Sequence, residues 1–219
     1  MRKQTYTALC YRLFFLIAAS YILFYNVTNN LQIDMSFNFY VLWYYPQWNL
    51  LVTALAYLYL VCRMVFSKRD QEISLPLPLR GMIATSMLLC MVYFLFIKWP
   101  FLLYLKPAMQ EWLLYVGLPV LLSLDWILFD KKKRIRFISI ILWLAEPVSY
   151  FLMVLIRAQY KTGLTPSSTN YIYPLLDVQR FGLLQVGKNV FLLLTVWFIC
   201  GAILYGISQI KKQKNKVSL

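Results

Sequence analysis

Six apolar runs, each long enough to cross the hydrocarbon of a bilayer, constrain this chain more than any motif in it. They cover residues 7–25, 39–66, 81–105, 112–129, 137–156 and 186–210. At 1.5 Å per residue a helix needs about 20 apolar residues to span a core ~30 Å thick. With no water there to satisfy backbone N–H and C=O groups, runs of this length and composition must be helical. The whole chain is 61% hydrophobic and only 14% charged, against roughly 25% charged in soluble domains, which excludes a soluble globular enzyme. Six spans of about 20 residues leave about 100 positions for loops and tails, too few for an attached soluble domain. The expected fold is therefore all-α: a single six-helix transmembrane domain over residues 1–219.

The charge distribution orients that domain. Placing the N-terminus in the cytoplasm puts 16 of the 22 Lys and Arg residues on the cytoplasmic side and 6 on the other. This strong positive-inside bias predicts a multi-pass protein of the cell membrane with both termini cytoplasmic. The basic residues, including the run Lys131-Lys132-Lys133-Arg134, bracket apolar segments instead of covering one face. They point to membrane lipids, anionic ones among them, at about 1 kcal/mol per Lys or Arg near the surface, and away from nucleic acid. Arg2 and Lys3 before the first run resemble a signal-peptide start. The following Ser20-Tyr-Ile-Leu-Phe-Tyr25 has no small-residue cleavage pattern, so this run is read as a retained helix.

The chain contains no histidine, which removes the commonest general base, the H-E-x-x-H zinc site and every Ser-His or Cys-His pair. No metal-binding carboxylate cluster or Gly-rich phosphate loop replaces it, so no metal or cofactor is expected. Cys10, Cys62, Cys90 and Cys200 fall inside apolar runs without C-x-x-C spacing, as buried small hydrophobes do. Trp43, Tyr44, Tyr45, Trp48, Trp99, Trp112 and Trp126 lie near run ends, where aromatic rings anchor to the membrane interface.

Polar groups inside the runs are the candidate functional residues, because a charge at a helix centre costs about 2.5–3.5 kcal/mol on insertion scales. Glu146 lies some ten residues into the fifth run, directly before Pro147. It suits either a hydrogen bond to a carbonyl freed at a proline kink or a proton-carrying role. Asp125 is placed to pair with a cation near the cytoplasmic interface. Tyr45, Gln47 and Asn49 of the second run, Tyr115 of the fourth and Asn189 of the sixth fall at overlapping depths from the other side. They form either interhelical hydrogen bonds or a water- or headgroup-filled pocket. The long connection 157–185, alternating turn formers with apolar residues, fits a cap folded over the helix ends.

Several of these segments, in order, carry a resemblance. Trp43-Tyr-Tyr-Pro-Gln-Trp-Asn-Leu-Leu-Val52, Leu114-Tyr-Val-Gly-Leu-Pro-Val-Leu-Leu-Ser-Leu-Asp-Trp126, Glu146-Pro-Val-Ser-Tyr150 leading to Arg157, Tyr173-Pro-Leu-Leu-Asp177 and Asn189 resemble the bacterial branch of the androgen-induced-gene and androgen-dependent TFPI-regulating protein family. The resemblance spans about residues 40–210 and implies six helices. It also implies intramembrane hydrolysis of esters between a fatty acid and a hydroxy fatty acid, by a threonine on the second helix and a histidine on the fourth. Here the threonine position is Tyr45 and the histidine position is Tyr115. A phenol of pKa about 10 is a poor base. Thr53 and Thr85 supply hydroxyls in the second and third runs, without an identifiable base. What the resemblance then implies is the pocket, with Tyr45, Gln47, Asn49, Tyr115 and Glu146 in it and Arg157, Asp177 and Asn189 toward its polar rim.

Two functions follow from different classes. One is a protein that binds a lipid or amphiphile, or scaffolds a membrane protein partner, without turnover. The other is a hydrolase with an altered mechanism using Tyr45 or Tyr115 with Glu146, which requires those groups within about 3 Å of each other. A small transporter is a weaker third reading, since the chain shows neither an inverted repeat nor paired broken helices.

Overall fold

The computed structural model describes residues 2–28, 39–66, 74–98, 108–129, 136–159, 173 and 176–217, all of them helix, turn or short connection without a strand. Helix α1 is Arg2–Thr28, and a 3-10 turn, Phe39–Trp43, leads into α2, Tyr45–Phe66. Helix α3, Leu77–Tyr93, runs on through a π-helical turn, Phe94–Lys98. Helix α4 starts as Met109–Trp112, widens through a second π turn, Leu113–Gly117, and continues as Leu118–Phe129. Helix α5 comprises Ile138–Trp143 and Ala145–Gln159, and α6 is Val178–Val217. All six are long and apolar enough to cross a membrane.

Local chemistry explains where these helices depart from the apolar runs. The second run is not one helix, because Pro46 belongs in a first helical turn, where its missing N–H breaks no intrahelical bond. Pro78 does the same for α3, which begins at Leu77 instead of residue 81. In α5, Pro147 cannot donate to the Trp143 carbonyl, and the helix bends at Leu144, whose N–H turns back to the Ile141 carbonyl at 3.1 Å. Helix α6 begins at Val178, eight residues before the expected span, because Asp177 caps it: its Oδ1 accepts the Arg180 N–H at 3.0 Å. Its first turn is then set apart by Gly182, whose φ of 76° lies in the left-handed region that glycine tolerates best.

Helix α3 is the centre of the bundle. It packs against α2, α4, α5 and α6, while α1 lies against α2 and α4. Its contact with α5 depends on Gly81: a Cβ there would sit 2.0 Å from the Trp143 ring, which is fully buried. The outward surface is apolar instead, with Phe14, Ile17, Leu55, Leu128, Leu183 and Phe191 exposed while Arg12 and Arg80 are buried. That inversion is what a lipid environment requires. Cys90 and Cys200 are buried and Cys62 half-buried as free thiols, but Cys10 is exposed on the flank of α1, a departure from the uniform burial expected.

Toward one end of the bundle, Asp125 of α4 is completely buried between two arginines. Its Oδ1 accepts the Arg12 Nε–H of α1 at 3.0 Å. Its Oδ2 accepts the Tyr57 hydroxyl of α2 at 2.9 Å and a guanidinium N–H of Arg80 on α3. Asp125 thus does form an ion pair, with cations supplied from neighbouring helices. The basic run 131–134, the nearest cations along the chain, lies outside the described residues. Arg80 also donates to the Tyr57 hydroxyl at 3.1 Å, and Tyr57 stacks on Phe15 with centroids 4.2 Å apart. One carboxylate therefore ties four helices together.

Two expectations follow. Asp125→Ala should destabilise the folded protein by about 3–5 kcal/mol, because it leaves guanidiniums buried without the carboxylate they share; unfolding in bicelles would measure it. Gly81→Ala should lose about 1–3 kcal/mol by overpacking Trp143, and adding Trp143→Leu should recover part of the loss in thermal denaturation.

Candidate functional site

At the other end of the bundle, all six helices contribute to one cavity of about 620 Å³. It is lined by Tyr25 and Asn26 near the end of α1, Tyr45 and Gln47 at the start of α2, and Leu89, Cys90 and Tyr93 of α3. Gln110, Leu114 and Tyr115 of α4, Tyr150 and Phe151 of α5, and Val190, Leu194 and Trp197 of α6 complete the wall. Tyr173 and Leu176, from the connection before α6, also line it. Tyr173 is fixed there by the Tyr45 backbone N–H, which donates to its hydroxyl oxygen at 2.9 Å. Burial holds the Tyr173 phenol well above its usual pKa, so it is neutral at physiological pH.

One polar cluster stands at the wall. The Tyr45 hydroxyl donates to Glu146 Oε2 at 2.7 Å, and the Ser86 hydroxyl donates to the same oxygen at 2.6 Å. The cluster joins α2, α3 and α5, and Glu146 is buried behind the Tyr45 ring. Tyr150 stands edge-on to Tyr45 with centroids 5.0 Å apart, and its hydroxyl donates to the Trp43 carbonyl. The second oxygen of Glu146 has no hydrogen-bond partner among the described residues, and the same holds for Gln47 Oε1 and Asn49 Oδ1. Three buried acceptors thus belong to this end of the bundle without a donor, an arrangement that protein interiors seldom leave unsatisfied.

The structure distributes the other candidate residues unevenly. Asn49 is buried beside the cavity, where its Nδ2 approaches Cys90 Sγ at 3.9 Å. Tyr115 lines the cavity but stacks flat on Phe94, centroids 4.8 Å apart and planes within 7°, as part of the packing between the two π turns. Of the two tyrosines proposed to act with Glu146, only Tyr45 is hydrogen-bonded to it. Arg157 places its guanidinium carbon 3.7 Å above the Trp43 ring, outside the lining. Asp177 is occupied as the cap of α6. Asn189 accepts from Gln185 at 3.2 Å along α6 itself and is likewise not part of the wall.

Glu146 does not donate to a carbonyl freed at the α5 bend; it accepts from two hydroxyls on other helices. Thr53 and Thr85 are fully buried and donate to the Asn49 and Gly81 carbonyls, each at 2.7 Å, one turn back in their own helices. Ser86 escaped the sequence reading. The signal for it was present, because Ser86 and Cys90 are four residues apart and share one face of α3. Among the described residues, no three His, Cys, Asp or Glu side chains come together in a way that could hold a metal ion.

No protein-family model, curated protein or solved structure matches the chain. The site is therefore read from its own geometry. Tyr45→Phe and Ser86→Ala each remove one donor to a single carboxylate oxygen, so each should lower stability by about 1–2 kcal/mol. The double variant should differ measurably from the sum of the two in thermal denaturation, since the hydroxyls share an acceptor.

Proposed function

We propose that this protein holds a lipid or another amphiphile in the cavity between its six helices, without turning it over. The single observation that carries the reading is the cavity itself: about 620 Å³, walled mainly by apolar and aromatic side chains, with a few convergent polar groups at Tyr45, Gln47 and the Glu146 cluster. Sites for small amphipathic ligands have this size and this balance of surfaces. The resemblance to the androgen-induced-gene and androgen-dependent TFPI-regulating protein family supports a lipid-like occupant, and the missing histidine removes the family's base. The two membrane-buried threonines spend their hydroxyls on backbone carbonyls. In this reading the termini and basic loops face the cytoplasm, as the 16-to-6 split of Lys and Arg supports, and the loops contact anionic lipid. The cavity then opens toward the outer half of the cell membrane, and a membrane protein partner would dock on the lipid-facing surface.

A second reading is favoured by one specific observation. Tyr45, Ser86 and Glu146 lie within hydrogen-bond reach of one another through Oε2, which is the geometry an altered hydrolase would need for a nucleophile and its base.

One experiment separates the two. Protein purified into nanodiscs is examined by native mass spectrometry and, in parallel, treated with a fluorophosphonate probe. The binding reading expects a near-stoichiometric amphiphile on the wild type, its loss from Leu194→Trp, which fills the cavity, and no covalent labelling. Labelling at Ser86 or Tyr45 would replace it with the hydrolase reading. An empty wild-type protein that takes up no lipid from vesicles would overturn it.

A further inference from the structure

The chain carries 22 Lys and Arg residues and a net charge of +14, yet none of the described residues that line the cavity is basic. The formally charged group in that lining is an acid, Glu111, and a second acid, Glu146, stands one hydrogen bond behind the Tyr45 phenol. A pocket built for a carboxylate or phosphate would present arginine or lysine to it, because charge-assisted hydrogen bonds from those groups are how proteins hold such anions. This lining offers the reverse.

Its uncharged part points the same way. Nine of the lining side chains are aromatic, seven of them tyrosines. Two pairs pack edge to face: Tyr44 with Tyr173, centroids 6.0 Å apart at 87°, and Tyr45 with Tyr150, 5.0 Å apart at 61°. Tyrosines drawn from five helices and from the connections before α2 and α6 surround one space, a lining that can hold an organic cation through the ring quadrupoles. The unsatisfied groups agree. Gln47, more than nine-tenths buried and part of the wall, has an acceptor oxygen without a donor among the described residues, as does Glu146. An occupant that supplies N–H donors and positive charge would suit Gln47 and the acidic Glu111 of the wall, whereas a fatty-acid carboxylate supplies neither.

We infer that the cavity selects an amphiphile with an ammonium head group, the head enclosed by these tyrosines and Gln47 and the tail lying along Leu89, Leu114 and Leu194. The inference deepens the amphiphile-binding reading and rests on it for the tail.

The test uses the full chain in zwitterionic nanodiscs and four probes: dodecylammonium, dodecanol and dodecanoate, which share a tail, and ethylammonium, which lacks one. Leu194→Trp measures partition into the lipid itself. Dodecylammonium is expected to bind at least tenfold more tightly than dodecanol or dodecanoate. Glu146→Gln and Glu111→Gln should each reduce that affinity several-fold and narrow its margin over dodecanol, and the second variant serves where the first fails to fold. Equal binding of the three tailed probes, or ammonium affinity unchanged in both variants, overturns the ammonium selectivity and leaves amphiphile binding standing. Ethylammonium binding as tightly as dodecylammonium supports the cation site and overturns the amphiphile reading. No binding by any probe overturns both.

Discussion

Asp125 is the group whose removal would be felt furthest through this molecule. A carboxylate inside a bundle whose outer surface faces lipid has no water to fall back on, so it must find its partners in protein, and it finds them on three other helices. Arg12, Tyr57 and Arg80 set α1, α2 and α3 around α4 at one level of the bundle. The same contacts explain why two arginines can be almost fully buried while phenylalanines and leucines are exposed. Above this level the helices are free to separate, and they do so around the cavity.

The bundle therefore has two unlike ends. One is closed by charge, with short polar contacts and the Trp143 ring pressed onto Gly81. The other is closed by aromatic rings and by Tyr173, pinned to the start of α2. The irregular backbone collects around this second end: the 3-10 turn before α2, the π turns of α3 and α4, and Gly182 in α6. Non-helical backbone at membrane depth is tolerated where protein or a cavity surrounds it, and π turns recur at functional sites for the same reason.

Pairing within the wall is incomplete, and this is what gives the cavity its chemistry. Tyr45 and Ser86 satisfy one oxygen of Glu146, and the other stays without a donor among the described residues, as do Gln47 Oε1 in the wall and Asn49 Oδ1 beside it. Unmet acceptors in low dielectric are unfavourable to leave empty, so the site is disposed toward donors. The basic character of the chain as a whole would have suggested the opposite preference.

Much of the architecture was legible in the chain itself. Apolar runs of membrane length dictate six helices because the bilayer accepts little else, and the absence of histidine excludes a base wherever the helices go. Proline positions mark the starts of α2 and α3 and the bend of α5, since a missing N–H acts locally. The partners of polar residues were not legible. Asp125 looked closest to a lysine run in sequence, but its cations come from positions 12 and 80. Tyr45 and Tyr115 looked equivalent, yet one is hydrogen-bonded to Glu146 and the other is packed flat against Phe94. Ser86 has meaning only where α3 faces α5, because its acceptor is 60 residues away in the chain. Hydropathy and proline chemistry depend on neighbours along the chain, so the sequence alone determined the helices and where several of them begin or bend. Which polar groups meet depends on helix rotation and crossing, set by contacts more than 40 residues apart in sequence, and only the tertiary structure decided that.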